Sequence, residues 1–236
     1  MQVSKIPQFV TFPAIISAAV AIVFVASEVT GISIAQFGIY PRSFEGLQGI
    51  LFAPFIHGSP QHLMSNLTAL PILLSLLVLL NPKNYSKIFA FLYVLTGIIV
   101  WLTARSSYHI GISGVIYALA SFSFFEGIVS ERKGAAAISL LITLLYGGMV
   151  WGALPQAEGI SWESHLGGGI AGFVAAFVFA HRPQKIVSTH DYQAPMFNLN
   201  AQITDNSYTS VTYTYIKENA VEEGSSTAKK QKKIKL

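Results

Sequence analysis

Apolar residues run through this chain in long blocks rather than in amphipathic stripes, and polar or helix-breaking clusters separate the blocks. A helix needs roughly 17–25 predominantly apolar residues to cross a bilayer. Six such runs are predicted, at about 11–29, 62–80, 88–104, 113–129, 136–153 and 164–181. The separators are Tyr40-Pro41-Arg42-Ser43, Asn81-Pro82-Lys83-Asn84, Arg105-Ser106-Ser107, Glu131-Arg132-Lys133 and Gln156-Ala157-Glu158-Gly159. The first run is too long for a signal-peptide core and has no small-residue cleavage site, so it reads as a retained span. An even number of spans puts both termini on one side. Lys5, Lys83, Lys87, Arg132, Lys133, Arg182 and Lys185 fall on that side, and only Arg42 and Arg105 on the other, so the termini are expected to be cytoplasmic. The first outside loop, about 30–61, is rich in Ile, Leu, Phe and Pro and is expected to lie partly in the membrane interface.

The expected organisation is a cytoplasmic N-terminus at 1–10, a membrane bundle at 11–182 and a flexible cytoplasmic tail at 183–236. Ser210–Ile216 alternates weakly, like a strand, and is assigned no function. No internal repeat is visible, which argues against a transporter built from duplicated halves.

Composition strengthens the membrane reading: 52% of the 236 residues are hydrophobic and 11% charged. There is no cysteine, which excludes disulfides, thiolate metal sites and cysteine nucleophiles. The net charge of +4 does not point to nucleic acid, because five lysines of the excess sit in the last eight residues.

Polar residues inside spans are costly and usually pair with one another or line a working cavity. Spans two, four and six all run inward from the outer face, and each begins with a polar cluster: His57, His62 and Asn66; Gly111, Ser113 and Tyr117; and His165. At about 100° per residue, partners four apart share a face. His62 therefore faces with Asn66, and Ser113 with Tyr117 one turn deeper. Gly168 and Gly172 lie on the face of His165 and let the sixth helix approach the fourth closely enough to bring His165 to Ser113.

A serine hydroxyl needs a base within hydrogen-bond reach, and neutral imidazole suits that role. His62, Asn66 and the Ser113 amide are candidate donors for the oxyanion. No carboxylate is expected at this depth, which predicts a Ser-His dyad with Tyr117 stacked on the imidazole. Gly111 and Gly114 would open the backbone around the serine.

These residues resemble the motifs of the rhomboid family of intramembrane serine proteases over about residues 37–181. Gly111-Ile112-Ser113-Gly114 with Tyr117 resembles the family's GxSG motif and its tyrosine, which implies Ser113 as nucleophile. His57, His62 and Asn66 resemble its second-helix pattern, implying oxyanion roles for His62 and Asn66 and a supporting role for His57. His165 with Gly168 and Gly172 resembles the sixth-helix motif that carries the base. The resemblance implies an all-α, six-span membrane bundle of the basic form, without a seventh span, in a bacterial inner membrane. It implies cleavage of transmembrane protein substrates, with no cofactor and no metal. The Trp-Arg pair of many members is absent from the first loop, where Tyr40-Pro41-Arg42-Ser43 stands instead.

Taken singly, each signal has a plainer meaning. Ser113 or Tyr117 alone is a packing residue, His165 alone a helix-start residue meeting water, and His62 with Asn66 a pair satisfying loop backbone. Their conjunction on three helices entering from one side favours catalysis. An aspartyl mechanism fails because the first aspartate is Asp191, in the tail. Zinc is disfavoured because His57 and His62 are five apart with no glutamate between them. Two other functions compete: a catalytically inactive binder of transmembrane segments, and a small transporter. Against the transporter, Glu126 is the one acidic residue in a core span.

Overall fold

The computed structural model describes residues 7–130, 134–155 and 161–179, and the backbone of 210–216 and 229–235. Lys5, Arg132, Lys133, Arg182, Lys185 and the 156–159 separator, used above for topology, lie outside the described residues, as does most of the tail.

The first long helix, α1 (Gln8–Thr30), ends on Gly31 in the left-handed conformation, where a glycine costs least. The first loop then winds through short helical turns at Ala35–Phe37, Glu45–Gln48, α2 (Gly49–Phe52) and Ala53–Phe55. Next come α3 (Pro60–Leu80), α4 (Tyr85–Thr103), α5 (Ser113–Val129), α6 (Ala135–Tyr146) and α7 (Trp162–Phe179). The predicted fifth span, 136–153, holds a change of helix type: α6 stops at Tyr146 and Gly147–Ala153 continues as a 3-10 helix. Gly147 and Gly148 at the junction make the departure from α geometry cheap.

Eleven of the 17 residues of α5 are buried, and α3, α4, α6 and α7 all pack against it, so the candidate serine begins the central helix. The closest packing is between α5 and α7. A side chain at Gly168 would run into the Gly114 carbonyl, and one at Gly172 would stand 2.7 Å from the Phe122 nitrogen. The core combines fully buried Leu70, Leu73, Leu74 and Leu77 of α3 with Leu119 and Phe122 of α5 and Ala171 and Ala175 of α7. The outward faces are equally apolar: Ile22 is 66% exposed, Leu79 57%, Leu144 81% and Val178 59%. Helices hydrophobic all round need an apolar surrounding, and here that is lipid.

Among the described residues, four helices are long and apolar enough to cross a membrane: Gln8–Thr30, Pro60–Leu80, Tyr85–Thr103 and Ala136–Ala153. Ser113–Val129 is a shorter apolar helix, and α7 opens on a polar turn.

The first loop is fastened to α4 through Arg42. Its guanidinium donates to the carbonyls of Ala104 (2.7 Å) and Leu102 (3.4 Å), which end that helix. Trp101 of α4 returns a bond from its indole N–H to the Ser43 carbonyl at 2.9 Å. A tryptophan thus meets the arginine turn from α4 rather than from the loop.

The residues divide by contact into two units, 1–182 and 183–236. In the second, β1 (Ser210–Ile216) pairs antiparallel with β2 (Lys229–Lys235), from Ser210 opposite Lys235 to Ile216 opposite Lys229. The weakly alternating stretch is the first of these strands.

Candidate active site

Ser113 is the first residue of α5, and Gly111, with φ +99°, turns the chain into it. That conformation is one that residues with a Cβ rarely adopt. A side chain at 111 would also stand 2.6 Å from His62 Cε1, so the glycine lets the imidazole of α3 lie against the approach to the serine. The first intrahelical bond of α5 runs from Ile116 N to Ile112 O, leaving the amides of Ser113, Gly114 and Val115 ahead of the ladder at the positive end of the helix.

His165 is the fourth residue of α7, closing its first turn, and its Nε2 is 2.9 Å from Ser113 Oγ. Its Nδ1 is 2.8 Å from the Gly152 carbonyl in the 3-10 segment. A carbonyl can only accept, so Nδ1 carries the proton and Nε2 presents its lone pair to the hydroxyl. Tyr117 stacks on the imidazole, with ring centroids 4.2 Å apart and planes 4° from parallel. The Tyr117 hydroxyl donates to the Met149 carbonyl at 2.8 Å. Histidine and tyrosine are therefore both held by backbone of Gly147–Ala153.

The expectation that no carboxylate lies at this depth needs correcting. Glu163 is buried two residues before His165, but its Oε1 faces Arg105 at 3.5 Å while the imidazole bonds to a carbonyl.

On the α3 side, Ser59 caps the helix by accepting from the His62 amide at 3.2 Å. Asn66 Nδ2 donates to His57 Nε2 at 2.9 Å, and His57 Nδ1 faces the Phe55 carbonyl at 3.4 Å. His57 lies in the loop before α3. Burial, with a smaller contribution from neighbouring His62, lowers its pKa from 6.5 to about 4, so it stays neutral and keeps Nε2 as an acceptor. Asn66 is thereby fixed with its amide toward the loop.

Beside His165 an apolar cavity of about 540 Å³ runs between α5, α6 and α7, past Tyr117, Phe124, Ile142 and Phe173. Among the described residues no group of histidines and acids could hold a metal ion.

Residues 45–182 match the family model described as Rhomboid domain. The chain belongs to the rhomboid family. An uncharacterized protein of Mycobacterium tuberculosis is 31% identical over 196 residues, covering 78% of this chain and 82% of its own. One of Mycobacterium leprae is 32% identical over 167 residues, covering 67% and 66%. A protein of Acanthamoeba polyphaga mimivirus, provisionally named as a rhomboid protein, is 27% identical over 136 residues, covering 55% and 73%. Rhomboid proteins are in general intramembrane serine proteases, and this rhomboid chain is a multi-pass membrane protein.

The side chains singled out in the sequence come together here, but two further groups were missed. One is the pair of carbonyls, Gly152 and Met149, that orient His165 and Tyr117. Backbone acceptors leave no residue-type signal, although the glycines of 147–152 mark where regular helix gives way. The other is the polar group of His109, Ser161 and Ser164. His109 stands four residues before Ser113 and could have been weighed on that spacing.

Proposed function

We propose that this rhomboid protein is an intramembrane serine endopeptidase that hydrolyses peptide bonds in or near transmembrane segments of other proteins. The observation that carries the proposal is the 2.9 Å contact of His165 Nε2 with Ser113 Oγ, made by the tautomer that can accept a proton. His165 takes the hydroxyl proton as Oγ attacks the scissile carbonyl, then delivers it to the departing amine. Water, deprotonated by the same imidazole, cleaves the acyl enzyme and returns the serine. The tetrahedral oxyanion meets the Ser113 amide at the α5 N-terminus, with His62 and Asn66 as side-chain donors. The Gly152 carbonyl takes the orienting role that a carboxylate has in a triad. A helical carbonyl is hydrogen-bonded and shielded, so the substrate helix unwinds locally first. The apolar cavity beside the base offers room for its side chains.

In the proposed topology α5 and α7 also span the bilayer, giving six spans with both termini cytoplasmic. The exposed Phe44, Leu51 and Phe52 of the first loop suit the membrane interface. A bacterial inner membrane is the proposed location, and no cofactor is required.

The test is reconstitution in liposomes with single-span reporter proteins carrying Gly or Pro near the outer end of the span. Wild type is expected to release fragments, and Ser113→Ala none. Intact reporters that co-purify with the wild type across the panel would instead favour the inactive binder.

A further inference from the structure

Two short segments carry the proposed dyad, and they are joined a second time, away from the catalytic contact. His109 stands four residues before Ser113, and Ser161 four residues before His165. His109 Nδ1 lies 2.6 Å from Ser161 Oγ, and His109 Nε2 lies 3.0 Å from the Arg105 carbonyl. The carbonyl fixes the hydrogen on Nε2, so Nδ1 accepts from the Ser161 hydroxyl. Ser161 Oγ in turn accepts from Ser164 Oγ at 2.6 Å. The chain of donors has one direction, from Ser164 through Ser161 and His109 to the Arg105 carbonyl, and both ring nitrogens are occupied.

Each end of this chain is set in backbone. His109 forms the antiparallel bridge with Ile39, its amide and carbonyl bonding at 2.8 and 2.9 Å, so the histidine is tied to the first loop. Ser161 is the residue on which α7 starts: its carbonyl accepts from the amides of Ser164 (3.1 Å) and His165 (3.4 Å). The side chain of Ser161 thus holds the loop before α5, while its carbonyl closes the first turn that carries His165. His109 is 3% exposed and Ser164 8%, so water competes little for these bonds. Arg105 and Glu163, paired at 3.5 Å, are the charged groups beside the cluster, and Glu163 Oε2 is buried with no hydrogen-bond partner.

We infer that His109 and Ser161 are positioning residues, a second clasp that fixes the start of α7 against the approach to α5 and so holds His165 within reach of Ser113. The inference rests on the proteolytic reading above. It assigns a role to a buried histidine that touches neither member of the dyad through its hydrogen bonds. Misplacing a reacting group by about 1 Å can cost up to about 100-fold in rate.

The experiment measures the inactivation rate constant and the inhibitor dissociation constant separately for a fluorophosphonate on the purified full chain. The proteins are wild type, His109→Phe, Ser161→Ala and Ser161→Thr, each with its melting temperature. The rate constant is expected to fall roughly 10-fold in His109→Phe and Ser161→Ala, with the dissociation constant and melting temperature little changed. Ser161→Thr, which keeps the hydroxyl, recovers most of the rate. An unchanged rate constant in Ser161→Ala, a fall that threonine does not reverse, or a fall that tracks a lowered melting temperature overturns the inference. If His109→Phe does not fold, the two Ser161 variants decide. A folded wild type that is not labelled at Ser113 overturns the proteolytic reading itself, and the inference with it.

Discussion

Gly152 serves the site through what it lacks as well as through its carbonyl. A side chain there would collide with the Tyr117 hydroxyl and stand 3.5 Å from His165 Nδ1. Gly152→Ala is therefore expected to displace the tyrosine and tilt the imidazole, lowering serine labelling at least about 10-fold while the fold is retained. Wild-type labelling in that variant would show that Tyr117 and the 3-10 segment do not set the imidazole. His57 gives a second residue-scale prediction, in stability. Its folded pKa is about 4 against 6.5 for the free side chain, so between those values the unfolded chain binds the extra proton. Stability from this group is full above about pH 6.5 and falls as pH drops toward 4. Melting temperatures of wild type and His57→Gln at pH 7 and pH 5 test this: the variant should lose less on acidification, and equal losses would contradict the assignment.

Between elements, the decisive contact is glycine on backbone where α7 meets α5. Gly168→Leu and Gly172→Leu must push a side chain into the Gly114 carbonyl and the backbone of Ala118 and Phe122. Each is expected to cost about 1–3 kcal/mol or to abolish folding. Gly169, between them in sequence, meets nothing within 4 Å, and Gly169→Ala should melt like wild type. Equal effects at all three positions would mean that the glycines matter for chain flexibility and not for close approach. This face was legible in the sequence because small residues three and seven after a histidine have a single helical reading. The approach of His165 to Ser113 follows from that same face, and the two side chains lie 2.9 Å apart. The halt of α6 at Tyr146 was not, because Gly147–Ala153 is as apolar as a helix continuation and hydropathy cannot tell α from 3-10. Nor were the first loop's anchors, since Arg42 finds its partners about sixty residues away in α4.

For the whole molecule, the absence of cysteine turns topology into a direct measurement, because any introduced cysteine is unique. Ser107→Cys is expected to react with a membrane-impermeant maleimide on intact cells, and Lys83→Cys only after permeabilisation. The reverse pattern would invert the bundle and carry the serine to the inner side. The central claim is that one serine among those in the membrane-spanning helices is activated by one histidine, and covalent labelling tests it without a known substrate. The purified protein in mild detergent is treated with a fluorophosphonate probe and the modified residue identified by mass spectrometry. The account predicts an adduct on Ser113 in wild type and none in Ser113→Ala or His165→Ala. A folded wild type unlabelled by several probes, or labelling that survives His165→Ala undiminished, would contradict it.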